Sequence, residues 1–292
     1  MGPFVHDQAE GLRRLLRPDF LRVVAISAAL EGVGRTLVLT ALAASLAQRG
    51  RRVLVVSERR HRIPSDLAPA PRYDLAAVLR GQRTLQQVVT EGAAGVAWLE
   101  LGDALARLPA LDPSAQENLG AAFAEVAEPM DVLLLDPVPG DRPASLALQL
   151  AAQEQVLVVS CAADAITQTY ALIKRLARDF AQRRFHLVVA KSGSGAPAQA
   201  IYNNLAQTAG RHLGVRLEWL GEFPLDTQAR QADRLGRSVV DAFPDSPTAG
   251  AGRLVAEAMD AWPWPDGEAG RPGAFLHRLV MTSRLAAENA HL

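Results

Sequence analysis

The stretch Ser27-Ala-Ala-Leu-Glu-Gly-Val-Gly-Arg-Thr36 decides how the rest of this 292-residue chain is read. It follows the apolar run Val23-Val-Ala-Ile26. It precedes a helical pattern of Leu39, Leu42 and Leu46 that stops at Gly50, and then a second apolar run, Val53-Leu-Val-Val56. Strand, glycine-containing turn, helix and strand in that order make a βαβ unit. Its turn stands where a phosphate-binding loop would stand. In such a loop the backbone N–H groups at the helix N-terminus cradle phosphate, and a lysine adds a point charge. The pattern G-x-x-x-x-G-K-[ST] is half met, with Ala29 at the first glycine and Arg35 at the lysine. Gly32 and Gly34 keep the loop flexible, and Thr36 keeps the hydroxyl that would bind Mg²⁺. Arg35 keeps a positive charge, but its planar fork does not fill the lysine's place. Glu31 sets a carboxylate beside the expected phosphates and would repel them. Two readings stand side by side: a structural strand-to-helix turn, and weak residual binding of ATP with Mg²⁺.

Outward from this unit the same alternation continues. Asp131-Val-Leu-Leu-Leu-Asp-Pro-Val-Pro-Gly140 is an apolar strand ending in Asp136, with Gly140 close behind. That is the form of a strand whose aspartate holds Mg²⁺ through water and whose glycine amide approaches a γ-phosphate. A buried strand ending in Asp is common in any parallel sheet; its pairing with residues 27–36 is what gives it weight. Further strands are expected at 96–99, 156–159, 185–190 and 217–223. Helices are expected at 74–80, 84–89, 117–128, from 164 or 167 to 180, and at 202–213, 226–235 and 246–259. Strands alternating with helices imply an α/β fold, a doubly wound, mostly parallel sheet with helices on both faces. Such a sheet binds ligands at the carboxyl ends of its strands, where 27–36 and 136–140 both lie. The segment after Val56, Ser57-Glu-Arg-Arg-His-Arg62, is mostly basic where acidic residues would serve hydrolysis, and reads as a solvated loop.

Composition narrows the function classes. With 31 basic and 31 acidic residues there is no global field for nucleic acid. The single cysteine, Cys161, excludes an intramolecular disulfide and fits a reducing compartment. No apolar run reaches the roughly 18 residues of a spanning helix. The expectation is a cytoplasmic protein, with peripheral contact at the inner membrane or cell pole as a further option. None of the six histidines has metal-ligand spacing.

The two ends differ from the middle. His6 to Leu16 reads as a short helix with Leu12, Leu15 and Leu16 on one stripe and Pro18 as its stop. From pattern alone it packs on the domain. Trp262-Pro-Trp-Pro-Asp-Gly267 reads as a linker. Beyond it, Phe275, Leu276, Leu279 and Val280, flanked by His277, Arg278 and Arg284, suit an amphipathic helix lying weakly on anionic lipid. A tail packed on its own domain or on a partner fits the same pattern. The division is 1–18, 19–262 and 263–292.

These residues resemble the MinD/ParA-type ATPases, a P-loop NTPase family, and within it the FlhG (FleN) branch of regulators of flagellar number and placement. Leu30-Glu-Gly-Val-Gly-Arg-Thr36 aligns with that family's K-G-G-V-G-K-T, and Asp131, Asp136 and Gly140 with D-x-x-x-x-D-x-x-x-G. Ala163 to Lys174, Leu217 to Asp226 and Phe243 to Pro247 resemble three further family blocks. Asp7-Gln-Ala-Glu-Gly-Leu-Arg13 matches D-Q-A-x-x-L-R. The resemblance covers nearly the whole chain and implies that Asp7, Gln8, Ala9, Leu12 and Arg13 engage an FlhF-like GTPase and stimulate it. It also implies flagellar switch proteins or a flagellar transcriptional activator as further partners. The nucleotide-binding positions it implies are Gly32, Gly34, Arg35, Thr36 and Gly140, with Thr36 and Asp136 on Mg²⁺.

The departures from the family pattern fall on function. The signature lysine is Leu30, the loop lysine is Arg35, an Asp pair after the second strand falls on Ser57 and Arg59, and a base-reading Asn falls on Ala190. Losing one charge-assisted contact costs roughly 1.5–3 kcal/mol, so several together remove most ATP affinity. The reading is a regulator with weak or no hydrolysis. Its rivals are a working ATPase that cycles between a cytosolic monomer and a membrane dimer, and a degenerate scaffold of another polar machine.

Overall fold

The computed structural model describes residues 21–59, 64–92, 95–140, 142–192, 198–224, 226–263 and 270–289. Its strands are β1 (Arg22–Ser27), β2 (Val53–Ser57), β3 (Thr90–Glu91), β4 (Val96–Glu100), β5 (Val132–Asp136), β6 (Glu154–Ser160), β7 (Arg184–Ser192) and β8 (Arg216–Pro224). They form one sheet in the order β3-β4-β2-β5-β1-β6-β7-β8. All pairings are parallel except that of the short edge strand β3 with β4. The order reverses at β1, between β5 and β6, so the loops after β1 and β5 meet at the switch point where such sheets hold ligands.

The helices are α1 (Arg35–Gln48), α2 (Leu75–Leu79), α3 (Leu85–Val88), α4 (Ala104–Arg107), α5 (Pro113–Ala127), α6 (Pro143–Leu150), α7 (Ala163–Asp179), α8 (Ala198–Leu213), α9 (Thr227–Leu235), α10 (Val239–Ala242), α11 (Pro247–Asp260) and α12 (Pro272–Asn289). The strand expectations hold with small extensions. The helix expected from 117 starts at Pro113, because Asp112 accepts the Ala115 N–H at 2.8 Å and proline takes the first helical position. No expectation covered α6, a run of apolar residues with Ser145 and Gln149 among them.

Period-two alternation sorts the strands between two cores. Val24, Ile26, Val55 and Leu134 face α1, α7, α8 and α11 on one side. Val23, Ala25, Leu54, Val56, Leu133 and Leu135 face α5, α6 and α12 on the other. Gly252 of α11 lies so close to α1 that a Cβ there would stand 2.9 Å from Ser45 Oγ and 3.2 Å from the Ala41 carbonyl, so these helices need a glycine at their crossing.

The tail corrects one expectation. Phe275, Leu276, Leu279 and Val280, considered as a lipid-facing stripe, are at most 2 % exposed and complete the second core. The Phe275 ring lies 5.1 Å from that of Phe123 on α5. The neighbouring cations serve the protein too. Arg278 Nε donates to the Ala151 carbonyl at the end of α6 (3.1 Å), and Arg284 donates to the Pro109 and Leu111 carbonyls (3.2 and 3.0 Å). An amphipathic stripe requires a cover, and here the domain provides it, the alternative the sequence left open. Among the described residues no helix is long and apolar enough to cross a membrane.

At the opposite end of the sheet, Arg22 closes the C-terminus of α11. Its guanidinium donates to the Met259 carbonyl and to those of Trp262 (2.9 Å) and Pro263 (3.3 Å), and lies 5.6 Å from the Trp262 ring centroid. The Met259 carbonyl, in the last turn of the helix, also accepts the Trp262 N–H at 3.2 Å, and a cation is favoured at a helix C-terminus.

Candidate functional site

The loop after β1 keeps its expected path. Gly32 and Gly34 adopt φ of 75° and 105°, left-handed values that cost a side-chain-bearing residue, and Gly34 is the N-cap of α1. Arg35 therefore opens the helix, with Thr36 next to it and exposed. Asp136 ends β5 at the same rim. Together with Leu30, Glu31 and Arg59 these residues line a cleft of about 430 Å³. Of the expected nucleotide positions, Gly32, Gly34, Arg35, Thr36 and Asp136 share this cleft. Gly140, at φ 116°, instead lines the cavity next to it.

The chemistry inside the cleft differs from that of a loop awaiting Mg²⁺. Parallel register sets Ser57 of β2 directly beside Asp136 of β5. The Ser57 hydroxyl donates to Asp136 Oδ2 at 2.9 Å, with the Arg59 carbonyl a second acceptor at 2.8 Å. The other oxygen, Oδ1, is ion-paired with the Arg35 guanidinium. The pair is inside the protein, its side chains 13 % and 2 % exposed. Burial lowers the Arg35 guanidinium to about 10, against Glu58 and Glu31, which hold it up. Both oxygens of Asp136, the carboxylate expected to serve the metal, are thus engaged from within the chain, one of them by a cation. Mg²⁺, which needs near-octahedral oxygen ligation, does not fit this arrangement. The residue expected to replace a phosphate contact is paired with the aspartate instead.

Glu58 is a site residue that the sequence reading passed over. It lies in the segment read as a solvated loop, yet it is 5 % exposed. Its own N–H donates to the Asp136 carbonyl (3.2 Å), and its carboxylate accepts the Val138 N–H (2.7 Å) and Arg142 (2.8 Å). The segment after Asp136 is therefore tied to the end of β2 by backbone and side chain. The available signal was an acidic residue directly after a strand in an otherwise basic run.

Other expected positions are elsewhere. Ala190, where a base-reading asparagine would stand, is fully buried near the end of β7 and has no polar side-chain atom. Leu30, by contrast, lines the first cleft itself and also packs partly against the first core. Asp7, Gln8, Ala9, Leu12 and Arg13 lie outside the described residues. Among the described residues no group of three His, Cys, Asp or Glu side chains could hold a metal ion.

Comparison with known proteins sets this geometry in a family. No family model matches the chain. It is 32 % identical over 262 residues to the antiactivator FleN of Pseudomonas aeruginosa, an alignment that spans 89 % of this chain and 94 % of that protein. Among solved structures, MinD of Pyrococcus horikoshii complexed with Mg-ADP superposes with a TM-score of 0.64 at 20 % identity, covering 82 % of this chain and 96 % of that one. A ParA family ATPase from Chlorobium tepidum gives 0.61 at 17 % identity, over 83 % and 99 %. At those identities the structures speak for the fold, which is that of the MinD and ParA proteins; the sequence match goes further, and the chain belongs to the FleN family.

Proposed function

We propose that this protein is a FleN-like regulator of flagellar number and placement that works through its surfaces, with ATP hydrolysis weak or lost. The observation that carries the reading is the engagement of both Asp136 oxygens, by Arg35 and by Ser57. A switch driven by Mg-ATP needs that carboxylate for its metal. With the carboxylate spoken for, the fold keeps its shape without the ligand. The name of the Pseudomonas relative, antiactivator, supports a flagellar transcriptional activator as one partner. Residues 7–13 engage an FlhF-type GTPase, with Gln8 acting at that partner's nucleotide site. Flagellar switch proteins are a further candidate, and the setting is the cytoplasm.

The test is GTP hydrolysis by a purified FlhF-type GTPase, followed with and without this chain, first in nucleotide-free buffer and then with Mg-ATP. Stimulation is expected without ATP and is expected to disappear in Gln8→Ala. Stimulation that survives Gln8→Ala would sink the assigned mechanism. A strict requirement for Mg-ATP would replace this reading with that of a working ATPase switch.

A further inference from the structure

On the other side of the loop after β1 lies a second cavity, of about 200 Å³. It shares Val138 as a wall with the first cleft and has its own lining from the end of β1, from α6 and from α7. Three polar side chains stand in that lining almost fully buried: Ser27 (1 % exposed), Ser145 (3 %) and Gln149 (5 %). Ser145 and Gln149 are four residues apart, hence on one face of α6. Ser27 Oγ, Ser145 Oγ and Gln149 Nε2 have no hydrogen-bond partner among the described residues. Buried polar atoms are nearly always paired, so three unpaired ones around one cavity describe a set of positions for a ligand.

The chemistry of the lining says which ligand. Two hydroxyls and an amide NH₂ can all donate. Gln168 and Arg175 of α7 stand in the wall, and among the described residues the lining contains no carboxylate. Ser145 is in the first turn of α6, whose positive end favours an anion. The first cleft, by contrast, holds Glu31 and Asp136 beside its cations. We propose that this second cavity binds a small oxyanion, a phosphoryl or carboxylate group, held by Ser27, Ser145 and Gln149 and attracted by Arg175. The proposal does not depend on the flagellar reading, and partner binding and anion binding fail or succeed separately.

The experiment is calorimetric titration of the full chain with inorganic phosphate and, separately, with succinate, at constant ionic strength in chloride. Saturable one-to-one binding of at least one anion is expected in the millimolar range or tighter. Gln149→Leu and Ser145→Ala are each expected to weaken it at least tenfold. Both variants replace an unpaired buried polar group by an apolar one, so their thermal melts should match or exceed the parent's. Binding of phosphate alone assigns the site to a phosphoryl group, and binding of succinate alone to a carboxylate. Absence of saturable heat from both anions would mean that the cavity holds water only and would overturn the proposal. So would binding that is unchanged in both variants.

Discussion

Arg35→Met tests the ion pair directly. The substitution keeps a side chain of similar length at the start of α1 but removes the cation from Asp136, whose side chain is 2 % exposed. Ser57 would still donate to one oxygen, at 2.9 Å. The other would carry charge in the interior without a counter-ion, a situation that costs about 3–5 kcal/mol when one partner of a buried pair is removed. Asp136→Asn removes the charge from the opposite side. Arg35 then keeps its attraction to Glu58 and Glu31, so the expected cost is smaller, about 1–2 kcal/mol. In the double variant neither charge is stranded. The desolvation that holds the Arg35 guanidinium down to about 10 is also relieved, a penalty on the charged form of roughly 3 kcal/mol. The double variant should therefore unfold close to the parent, as when a buried ion pair is replaced outright. Urea unfolding at pH 7 of the four proteins gives the coupling, expected at about 4–7 kcal/mol and far above the few tenths found for independent sites. In a thermal melt, Arg35→Met alone should fall by on the order of 10 °C. Additive effects, or a loss below about 1 kcal/mol for Arg35→Met, would mean that the pair contributes nothing in solution and that Asp136 is open to a metal. The argument for lost hydrolysis would then fail.

Three further outcomes follow from the packing. Phe275→Ala opens the second core next to Phe123 and should cost about 3–5 kcal/mol; a loss below 1 kcal/mol together with new binding to anionic vesicles would return α12 to the membrane. Arg22→Met removes the side-chain donor from the Met259, Trp262 and Pro263 carbonyls, of which Met259 keeps the Trp262 N–H, and should cost about 2–3 kcal/mol, with hydrogen exchange rising at the end of α11; unchanged exchange there would refute the capping role. Burial raises the Asp226 carboxyl, but the N–H groups of Gln228 and Thr248 outweigh it, so its pKa lies below the usual carboxylate value. A depressed carboxylate adds stability above its unfolded pKa, near 4, and loses it as pH falls through the lower folded value. Parent and Asp226→Asn should differ by about 1 kcal/mol at pH 6 and converge below pH 4; a gap that stays constant with pH would show that the charge is not involved.

Much of the fold could be read from the chain because buried parallel strands write themselves as uninterrupted apolar runs, as 53–56 and 132–135 do. Helix α6 was not legible: eight residues with apolar positions on several sides give no period to detect. The tail failed in another way. Its stripe of Phe275, Leu276, Leu279 and Val280 states that a surface covers it, and lipid and protein ask for the same pattern. The loop at 32–36 could be found from glycine spacing, but its altered chemistry was only half visible. The replacement of lysine by arginine reads as a lost phosphate contact. That the guanidinium turns to Asp136, and that Ser57 reaches the same carboxylate, depends on the register of β2 on β5, which no linear pattern encodes. Glu58 stayed hidden for the same reason, since its partners, Val138 and Arg142, come from a distant segment.

The charges around the loop explain how a nucleotide-binding fold can stand without its ligand. A loop that waits for polyphosphate holds excess positive charge, and the strand opposite waits for a metal with excess negative charge; each is unstable alone. Here Arg35 joins the two, and Arg142 meets Glu58. In the cleft Arg35 is thereby engaged by the protein's own carboxylate. The cavity across the loop has the opposite character: among the described residues of its lining stand Arg175 and other donors but no carboxylate, with buried hydroxyls that nothing described in the chain satisfies. If an anion still controls this protein, the second cavity is the place where its charge would be matched, and the segment 137–140, which contributes to both walls, is the element that would register its arrival.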